Sequence, residues 1–236
     1  RLNIMNTLAT LEFNNVTLTN QTDKGHIPNG KSYHITNMNY SIQRGYITLI
    51  TGDTSTDIAS ICTALVSKKS IYNGNIRYNG CDITDNSSMW LNRLGYISEK
   101  NIFFDDMSVD MNMQICSMIY SDFNTELFNS WMRTFAINQN TLISALSRGE
   151  FIKFQLAIAI AHNSEVLLFD EALAGLDIVF RKELLKIVSS LIDTDNIAAI
   201  FVAENISELR ERADYIITFN NGVIVNADNS YNMEVL

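Results

Sequence analysis

Short apolar runs separated by polar loops recur along the chain and predict the strands of a sheet. The run Val166-Leu167-Leu168-Phe169 has no alternation of apolar and polar positions, which is typical of a strand buried on both faces in a parallel sheet. Two carboxylates, Asp170 and Glu171, follow it directly. Further strands are predicted by β-branched and apolar residues at 11–18, 40–42, 46–51, 76–78, 95–97, 198–202, 215–219 and 222–225.

Segments with apolar residues at helical spacing lie between these strands. One of them carries four apolar residues at i, i+3, i+4 and i+7, namely Ile58, Ile61, Cys62 and Leu65. Other helices are predicted at 109–120, 125–135, 151–160 with Ser147 as N-cap, 180–191 and 206–212. The alternation of strands and helices predicts an α/β fold, with a mainly parallel sheet flanked by helices and an N-terminal antiparallel β portion.

The segment from about residue 101 to 154 differs from its surroundings and predicts a helical insertion. It has few β-branched residues and contains five methionines, at positions 107, 111, 113, 118 and 132. Methionine at these positions serves either adaptable core packing or a soft surface that accepts a partner helix. We expect one domain over residues 1–236, with its core at about 8–100 and 155–236.

Composition and charge restrict the class of protein. The formal net charge is −9, and no basic cluster interrupts it, which argues against a nucleic-acid surface and a site for anionic lipid. No apolar run approaches the length of a membrane span, and the N-terminus lacks the pattern of a signal peptide, so we expect a cytoplasmic protein. The three cysteines form no zinc or disulfide pattern and are expected to be buried thiols, and the three histidines lack the spacing of metal ligands.

The acidic pair after the run at 166–169 is the first candidate site. Ligands of open α/β sheets bind outside the carboxyl ends of the strands. Asp170 and Glu171 are therefore placed to hold a metal ion and to activate a water molecule. The alternative is a strand whose polar end happens to be acidic.

Three motifs in order resemble the nucleotide-binding subunit of ABC transporters, over nearly the whole chain. Leu146-Ser147-Arg148-Gly149-Glu150 is similar to the family's signature L-S-G-G-Q in three positions. The segment from Val166 to Glu171 resembles the Walker B strand, with Asp170 standing 24 residues after Leu146, and Ala174 to Asp177 resembles the D-loop. Phe180 to Leu184, together with the C-terminal Asn221-Gly222, resembles exporter-type subunits.

The chain departs from this family in the phosphate-binding Walker A loop. The family's G-x-x-x-x-G-K-[ST] holds phosphates through backbone amides, a lysine and a magnesium-binding hydroxyl. The second glycine, the lysine and the hydroxyl fall on Asp57, Ile58 and Ala59, and Ser60 lies about 100° further around the helix. The degenerate motif comprises Gly52, Asp53, Thr54, Ser55, Thr56, Asp57, Ile58, Ala59 and Ser60. We expect weak nucleotide binding there.

Other positions that the resemblance assigns to the nucleotide site have changed too. The switch histidine falls on Glu204 and the Q-loop glutamine on Glu99. The adenine-stacking aromatic residue falls on Asn20, or on Tyr33 under another alignment of the preceding loop. By resemblance, Asp170 inherits the position of the magnesium ligand and Glu171 that of the general base.

The retained motifs are those that act on nucleotide held by another subunit. Subunits of this family pair head to tail, so that the signature of one closes over the γ-phosphate of the other. Ser147 and Gly149 suit that contact, Arg148 adds positive charge, and Asp177 keeps the D-loop. The resemblance thus implies a half-degenerate subunit, meaning one that completes the site of a competent partner without a strong site of its own.

The implied assembly is an asymmetric exporter on the inner face of the cell membrane. The partner would hold ATP and Mg²⁺. Closure of the subunit pair would be transmitted to the transmembrane subunits through Glu99 and the helical insertion. The alternative is a non-catalytic interaction or regulatory module of a membrane complex that keeps the fold and does not bind ATP. A further alternative is an ATPase that is active by itself through unusual residues.

Overall fold

The computed structural model describes residues 9–19, 33–53, 55–67, 71–85, 87–203 and 206–229. Ten strands are found in this part of the chain, namely β1 (Ala9–Thr19), β2 (Tyr33–Gln43), β3 (Ile47–Gly52), β4 (Ile71–Tyr78), β5 (Cys81–Asp82), β6 (Leu94–Ser98), β7 (Val166–Asp170), β8 (Ala198–Val202), β9 (Tyr215–Asn220) and β10 (Val223–Asn229). Its α-helices are α1 (Ser55–Val66), α2 (Ser87–Leu91), α3 (Val109–Ile119), α4 (Thr125–Thr134), α5 (Arg148–Ala161), α6 (Ile178–Asp195) and α7 (Ser207–Arg210). None of these helices has the length and apolar character needed to cross a bilayer.

The larger sheet has six strands in the order β10-β9-β3-β8-β7-β6. All neighbouring pairs are parallel except β10 and β9, which confirms the predicted mainly parallel sheet. The smaller sheet, β2-β1-β4-β5, is antiparallel and contains the N-terminal strands, as predicted. A short helix, α2, was not predicted from the sequence.

Two apolar cores cover the two faces of the larger sheet. Leu167 and Phe169 of β7 point into a core shared with the insertion, α5 and α6. Leu168 points to the opposite face, where α1 and the antiparallel sheet cover it. Burial on both faces explains why β7 lacks an alternating pattern, and it confirms the prediction made for this run.

The helical insertion consists of α3, α4, a short 3-10 helix (Ile143–Ala145) and the N-terminal part of α5. The predicted boundary at residue 154 falls within α5, which continues to Ala161 beside β6. Met113 and Met132 are buried in the core, whereas Met111 and Met118 are exposed. Core packing therefore accounts for Met113 and Met132, whereas a partner surface at Met111 and Met118 stays a prediction.

The cysteines and His162 have simple structural roles or none. Cys62 and Cys116 are buried as predicted, but Cys81 is exposed because it lies at the short edge strand β5, so that part of the prediction was wrong. His162 stacks on Tyr120 with ring centroids 4.1 Å apart. Burial disfavours the imidazolium and lowers the pKa of His162 to about 4, so the ring is neutral near pH 7.

Candidate functional site

The carboxyl ends of four neighbouring parallel strands bring most of the predicted site residues to one edge of the sheet. The register aligns Ser98 at the end of β6 with Asp170 at the end of β7, and Asp170 with Val202 at the end of β8. β3 lies next to β8 and ends at Gly52. The Walker A, Q-loop and Walker B positions are therefore neighbours in space. Thr54, Glu204 and Asn20 lie outside the described residues.

The segment after β3 is short. β3 ends at Gly52 and α1 already begins at Ser55, so the helix includes the last six of the nine Walker A positions. The backbone amide of Asp53 donates to the carbonyl oxygen of Phe219 at 3.3 Å, and its carboxylate accepts from the amide of Asn221 at 3.3 Å. These contacts tie the segment to the turn between β9 and β10. The amide of Asp53 is therefore not free to bind a phosphate.

The position of the family's lysine is part of the apolar core. Ile58 is fully buried and belongs to the core beneath the antiparallel sheet. It packs so tightly against β3 that a Cβ atom on Gly52 would lie 2.9 Å from its Cγ2. Ser60, the nearest hydroxyl along the helix, is also buried. No cation therefore reaches the sheet edge from position 58.

The carboxylate of Asp170 accepts a hydrogen bond from a side chain of the neighbouring strand β6. Its Oδ2 accepts a hydrogen bond from the hydroxyl of Tyr96 at 2.6 Å. Burial and this carboxylate raise the pKa of Tyr96, and burial with the nearby Asp170 also raises the pKa of the Cys62 thiol in α1. Both neighbours therefore stay protonated and act as donors.

Glu171 adopts an unusual backbone conformation. Its φ is +50°, a left-handed value that costs a residue other than glycine about 1 kcal/mol. The amide of Glu171 donates to the carbonyl oxygen of Val202 at 2.9 Å, which holds the turn against β8.

The residues at this edge do not fit a magnesium-bound nucleotide. The lysine position is buried and apolar, the hydroxyl position is Ala59, and one oxygen of Asp170 is already bonded to Tyr96. Among the described residues, no cluster of three or more histidine, cysteine or acidic side chains could hold a metal ion.

The signature begins a well-capped helix. Ser147 is the N-cap of α5, and its Oγ accepts from the amide of Glu150 at 3.3 Å. The Glu150 carboxylate in turn accepts from the amide and the hydroxyl of Ser147, at 2.8 and 2.6 Å. This reciprocal capping box satisfies two amides that would otherwise lack partners, and its hydrogen bonds lower the pKa of Glu150. Leu146 anchors the segment by packing against the core.

The D-loop lies beside the signature. The ring of Phe180, in the first turn of α6, leaves no room for a side chain at Gly149, where a Cβ atom would lie 2.8 Å from it. Asp177 caps α6 by accepting from the amide of Phe180 at 2.9 Å. Signature and D-loop together line a concavity of about 580 Å³. This face is exposed at Ser147 and Asp177, so a facing subunit can reach both.

The first residue of α5, Arg148, crosses to the sheet edge. Its Nη2 lies 2.6 Å from Oε2 of Glu99, which directly follows β6. Thus the Q-loop and signature positions, 49 residues apart in sequence, contact each other within one chain.

Gln155 contributes to the site and was missed from the sequence. It is buried in α5, where its Oε1 accepts from the amide of Ser98 at 3.0 Å and its Nε2 donates to the carbonyl of Ser98 at 2.9 Å. This pair of bonds fixes α5 to the last residue of β6. The signal in the sequence was a single amide side chain within the apolar segment Phe154 to Ala161.

A parallel sheet with a strand, short loop and helix at one edge, and a capped signature helix beside it, defines a nucleotide-binding domain of the P-loop type. The sequence matches the family described as "ABC transporter" over residues 35–174, more than half of the chain. The chain therefore belongs to the ABC transporter family, which confirms the resemblance found from its motifs.

Two curated relatives illustrate the similarity. The molybdenum import ATP-binding protein ModC of Mannheimia succiniciproducens is 30% identical over 169 residues, which cover 68% of this chain and 47% of that protein. The energy-coupling factor transporter ATP-binding protein EcfA1 of Staphylococcus aureus is 24% identical over 223 residues, which cover 92% of this chain and 80% of that protein. The chain thus spans about half the length of the first relative and most of the second.

A solved structure agrees with the fold. The structure of cbiO1 from Clostridium perfringens, part of the ABC transporter complex cbiONQ, superposes with a TM-score of 0.78 and 16% identity. The superposition covers 96% of this chain and 90% of that chain, so the whole architecture, including the helical insertion, follows the ABC ATPase fold.

Proposed function

We propose that this chain is the half-degenerate ATP-binding subunit of an asymmetric ABC transporter. It completes an ATP site on a competent partner and holds little or no nucleotide itself. The observation that carries the proposal is the contrast between its two half-sites. Ile58, at the lysine position, is buried in the core, whereas Ser147 stands exposed at the capped N-terminus of α5.

The weakness of the chain's own site follows from charge. Loss of the lysine removes a charge-assisted contact with phosphate, worth on the order of 1.5–3 kcal/mol. The bond from the Asp53 amide to the carbonyl oxygen of Phe219 removes one backbone donor of this loop as well. Each effect weakens nucleotide binding, and together they oppose it by roughly 100-fold or more.

The signature half-site keeps the features needed for a partner's phosphate. The N-terminus of α5 carries the positive end of the helix dipole, with Ser147 exposed and Gly149 half-buried there. Asp177 and the D-loop lie next to them around the same concavity. ATP and Mg²⁺ would therefore be held mainly by the partner.

Mutation of the signature serine tests this function. In a mixed complex with a competent subunit, Ser147→Arg should abolish ATPase activity, because a bulky cation blocks the approach of the facing nucleotide. The matched control is Ser144→Arg, an exposed serine three residues upstream. Glu171→Gln in this chain should change turnover little. Unchanged activity after Ser147→Arg would refute the proposal.

Calorimetric titration of the isolated chain with ATP and Mg²⁺ tests the other half-site. We expect no binding in the micromolar range. Micromolar affinity would contradict the interpretation of Asp57 and Ile58, and it would favour an ATPase that works with unusual residues.

An apolar groove supports a membrane partner. It has a volume of about 570 Å³ and lies between α2, α3, α5 and residues 102–104. Ile102, Phe104 and Ile119 line it and are well exposed. Exposed apolar patches of this kind mark interaction sites, and a helix of a transmembrane subunit would cover this one. The chain would then lie on the inner face of the cell membrane.

The direction of transport needs its own test. The resemblance at Phe180 to Leu184 predicts export. In contrast, ModC is named as an import protein and EcfA1 as part of an energy-coupling factor transporter. A flux assay in sealed vesicles with the assembled complex distinguishes import from export. Accumulation on the side of this subunit would overturn the export prediction.

A non-catalytic module is the second candidate, and one observation favours it. The hydroxyl of Ser147 already donates to Glu150 at 2.6 Å, where the family has an uncharged glutamine. If this bond persists in the assembly, the signature serves only as a structural cap. That case predicts no ATPase activity in any complex that contains this chain.

A further inference from the structure

Two departures from the family pattern contact each other. Glu99 replaces the Q-loop glutamine and Arg148 replaces a signature glycine, and the two side chains form an ion pair with 2.6 Å between Oε2 and Nη2. Each change alone would place an unbalanced charge at the site. Together they are electrically neutral, so the pair is best understood as one unit.

The guanidinium of Arg148 also covers the D-loop. A Cβ atom on Gly175 would lie 2.8 Å from Nη1, and Gly175 has a φ of +67°. Arg148 thus lies between the end of β6 and the D-loop of its own chain. In this position its guanidinium is engaged with groups of its own chain.

The ion pair is weakly held. The side chains of Arg148 and Glu99 are 36% and 52% exposed, and although Nε and Nη2 of Arg148 are themselves buried, water screens the attraction from the side of Glu99. Nε and Nη2 of Arg148 make no aligned hydrogen bond with any described residue, so the contact with Glu99 lacks the bidentate geometry of a strong pair. An exposed pair of this kind shifts an equilibrium by at most about fivefold. A phosphate with two aligned oxygens can therefore compete for the guanidinium.

Other charged groups around the signature are already engaged. Lys153, which lines the same concavity, is 3.0 Å from Glu183 and lies over the rings of Phe135 and Phe180. Glu150 is bonded to Ser147. Arg148 is thus the cation of this face whose counter-ion is readily exchanged.

We propose that Glu99 is a positioning residue that holds Arg148 over Gly175 until a partner's nucleotide arrives. The γ-phosphate on the facing subunit then draws the guanidinium away from Glu99, and the signature gains a cation that the glycine of the family lacks. This inference rests on the proposed function, because it needs a phosphate presented by a partner.

The first test uses the isolated ¹⁵N-labelled chain and requires no partner. The Nε–Hε resonance of Arg148, assigned by its loss in Arg148→Gly, should shift in Glu99→Gln. It should stay in place in the matched control Asp105→Asn, which lies in the same concavity as Glu99. An unchanged resonance in Glu99→Gln overturns the inference whatever the fate of the proposed function.

The second test is a double-mutant cycle in the mixed complex. It compares the parent chain, Glu99→Gln, Arg148→Gly and the variant that carries both changes. Glu99→Gln restores the family's residue and frees Arg148, so the KM for ATP should fall roughly two- to fivefold at low salt, with a smaller effect at high salt. The same change in an Arg148→Gly background should have no effect. An equal effect on the KM in both backgrounds, or no effect in either, refutes the proposal that a phosphate replaces Glu99 as the counter-ion of Arg148. Absence of ATPase activity in the unmodified complex would refute the proposed function, while the resonance test would still decide whether Glu99 positions Arg148.

Discussion

The hydroxyl of Tyr96 donates a hydrogen bond to Oδ2 of Asp170 at 2.6 Å, across the paired strands β6 and β7. In the family this aspartate is placed to serve a bound metal ion, but here one of its oxygens serves the packing of the sheet. Asp170 thus stabilises the fold of the half-site that we propose to be weak.

Removal of the hydroxyl in Tyr96→Phe should therefore destabilise the protein. The change removes the hydroxyl donor of a half-buried carboxylate and leaves it the weaker thiol donor Cys62, and bonds to charged groups contribute about 1.5–3 kcal/mol. Since both side chains are partly exposed, we expect a loss of roughly 1–2 kcal/mol in the free energy of unfolding, measured by urea denaturation.

Tyr120→Phe provides the matched control for this prediction. The ring of Tyr120 stacks on His162, and the substitution keeps that ring. It should change the free energy of unfolding by less than about 0.5 kcal/mol. Equal effects of the two substitutions would show that the bond to Asp170 contributes nothing specific.

Restoring the family's lysine alone should harm this protein. Ile58→Lys places a charge in the fully buried core, at a cost of several kcal/mol unless the ammonium group reaches water. The conservative control, Ile58→Val, should cost about 0.5–1.5 kcal/mol. Chemical denaturation of both variants checks the comparison. A lysine variant as stable as the parent protein would show that position 58 can still reach the sheet edge.

The sequence predicted most of the parallel sheet because buried strands leave a strong local signal. β8 was predicted with its observed bounds, Ala198–Val202, and β7 differed by one residue. Each lies in an apolar run too short for a helix, and polar residues flank the two runs at 166–169 and 197–203. α2 was missed because five residues give too little periodicity, although Trp90 anchors it in the core.

The contacts of the candidate site could not be predicted in the same way. Glu99 and Arg148 are 49 residues apart, and nothing in either local pattern indicates that the two side chains meet. The motifs identified both positions through the family, but their pairing depends on how α5 packs against β6. Similarly, Gln155 was missed, because an amide within an apolar segment does not indicate its hydrogen-bond partner, which only the fold shows to be the backbone of Ser98.

The capping box of α5 should make stability depend on pH in the acid range. Hydrogen bonds from Ser147 favour the charged carboxylate, so the pKa of Glu150 in the folded protein lies below its ordinary value of 4.5. A lowered pKa contributes stability that is fully present above that ordinary value, and this stability is lost as the pH falls through the folded-state pKa. The cap should therefore weaken only below about pH 4.5.

Comparison with Glu150→Gln isolates this contribution. Glutamine can still accept from the amide of Ser147 but does not ionise and does not interact as a charge with the helix dipole. The parent protein should be the more stable of the two at pH 7, and the difference in midpoint temperature should shrink towards pH 3. A difference that stays constant over this range would contradict the role of the charged carboxylate.

The apolar groove predicts a variant that separates assembly from folding. Ile119 is 66% exposed at the end of α3 and lines the groove, so Ile119→Asp removes little buried area. We expect the free energy of unfolding of the isolated chain to change by less than about 0.5 kcal/mol, because the side chain already faces solvent. Co-purification with the transmembrane subunits should nevertheless fall sharply, since the charge would be buried against the partner helix.

Val225→Asp, at a residue that is 61% exposed on the edge strand β10, is the matched control and should leave assembly intact. Normal assembly of both variants would place the membrane contact elsewhere on the surface.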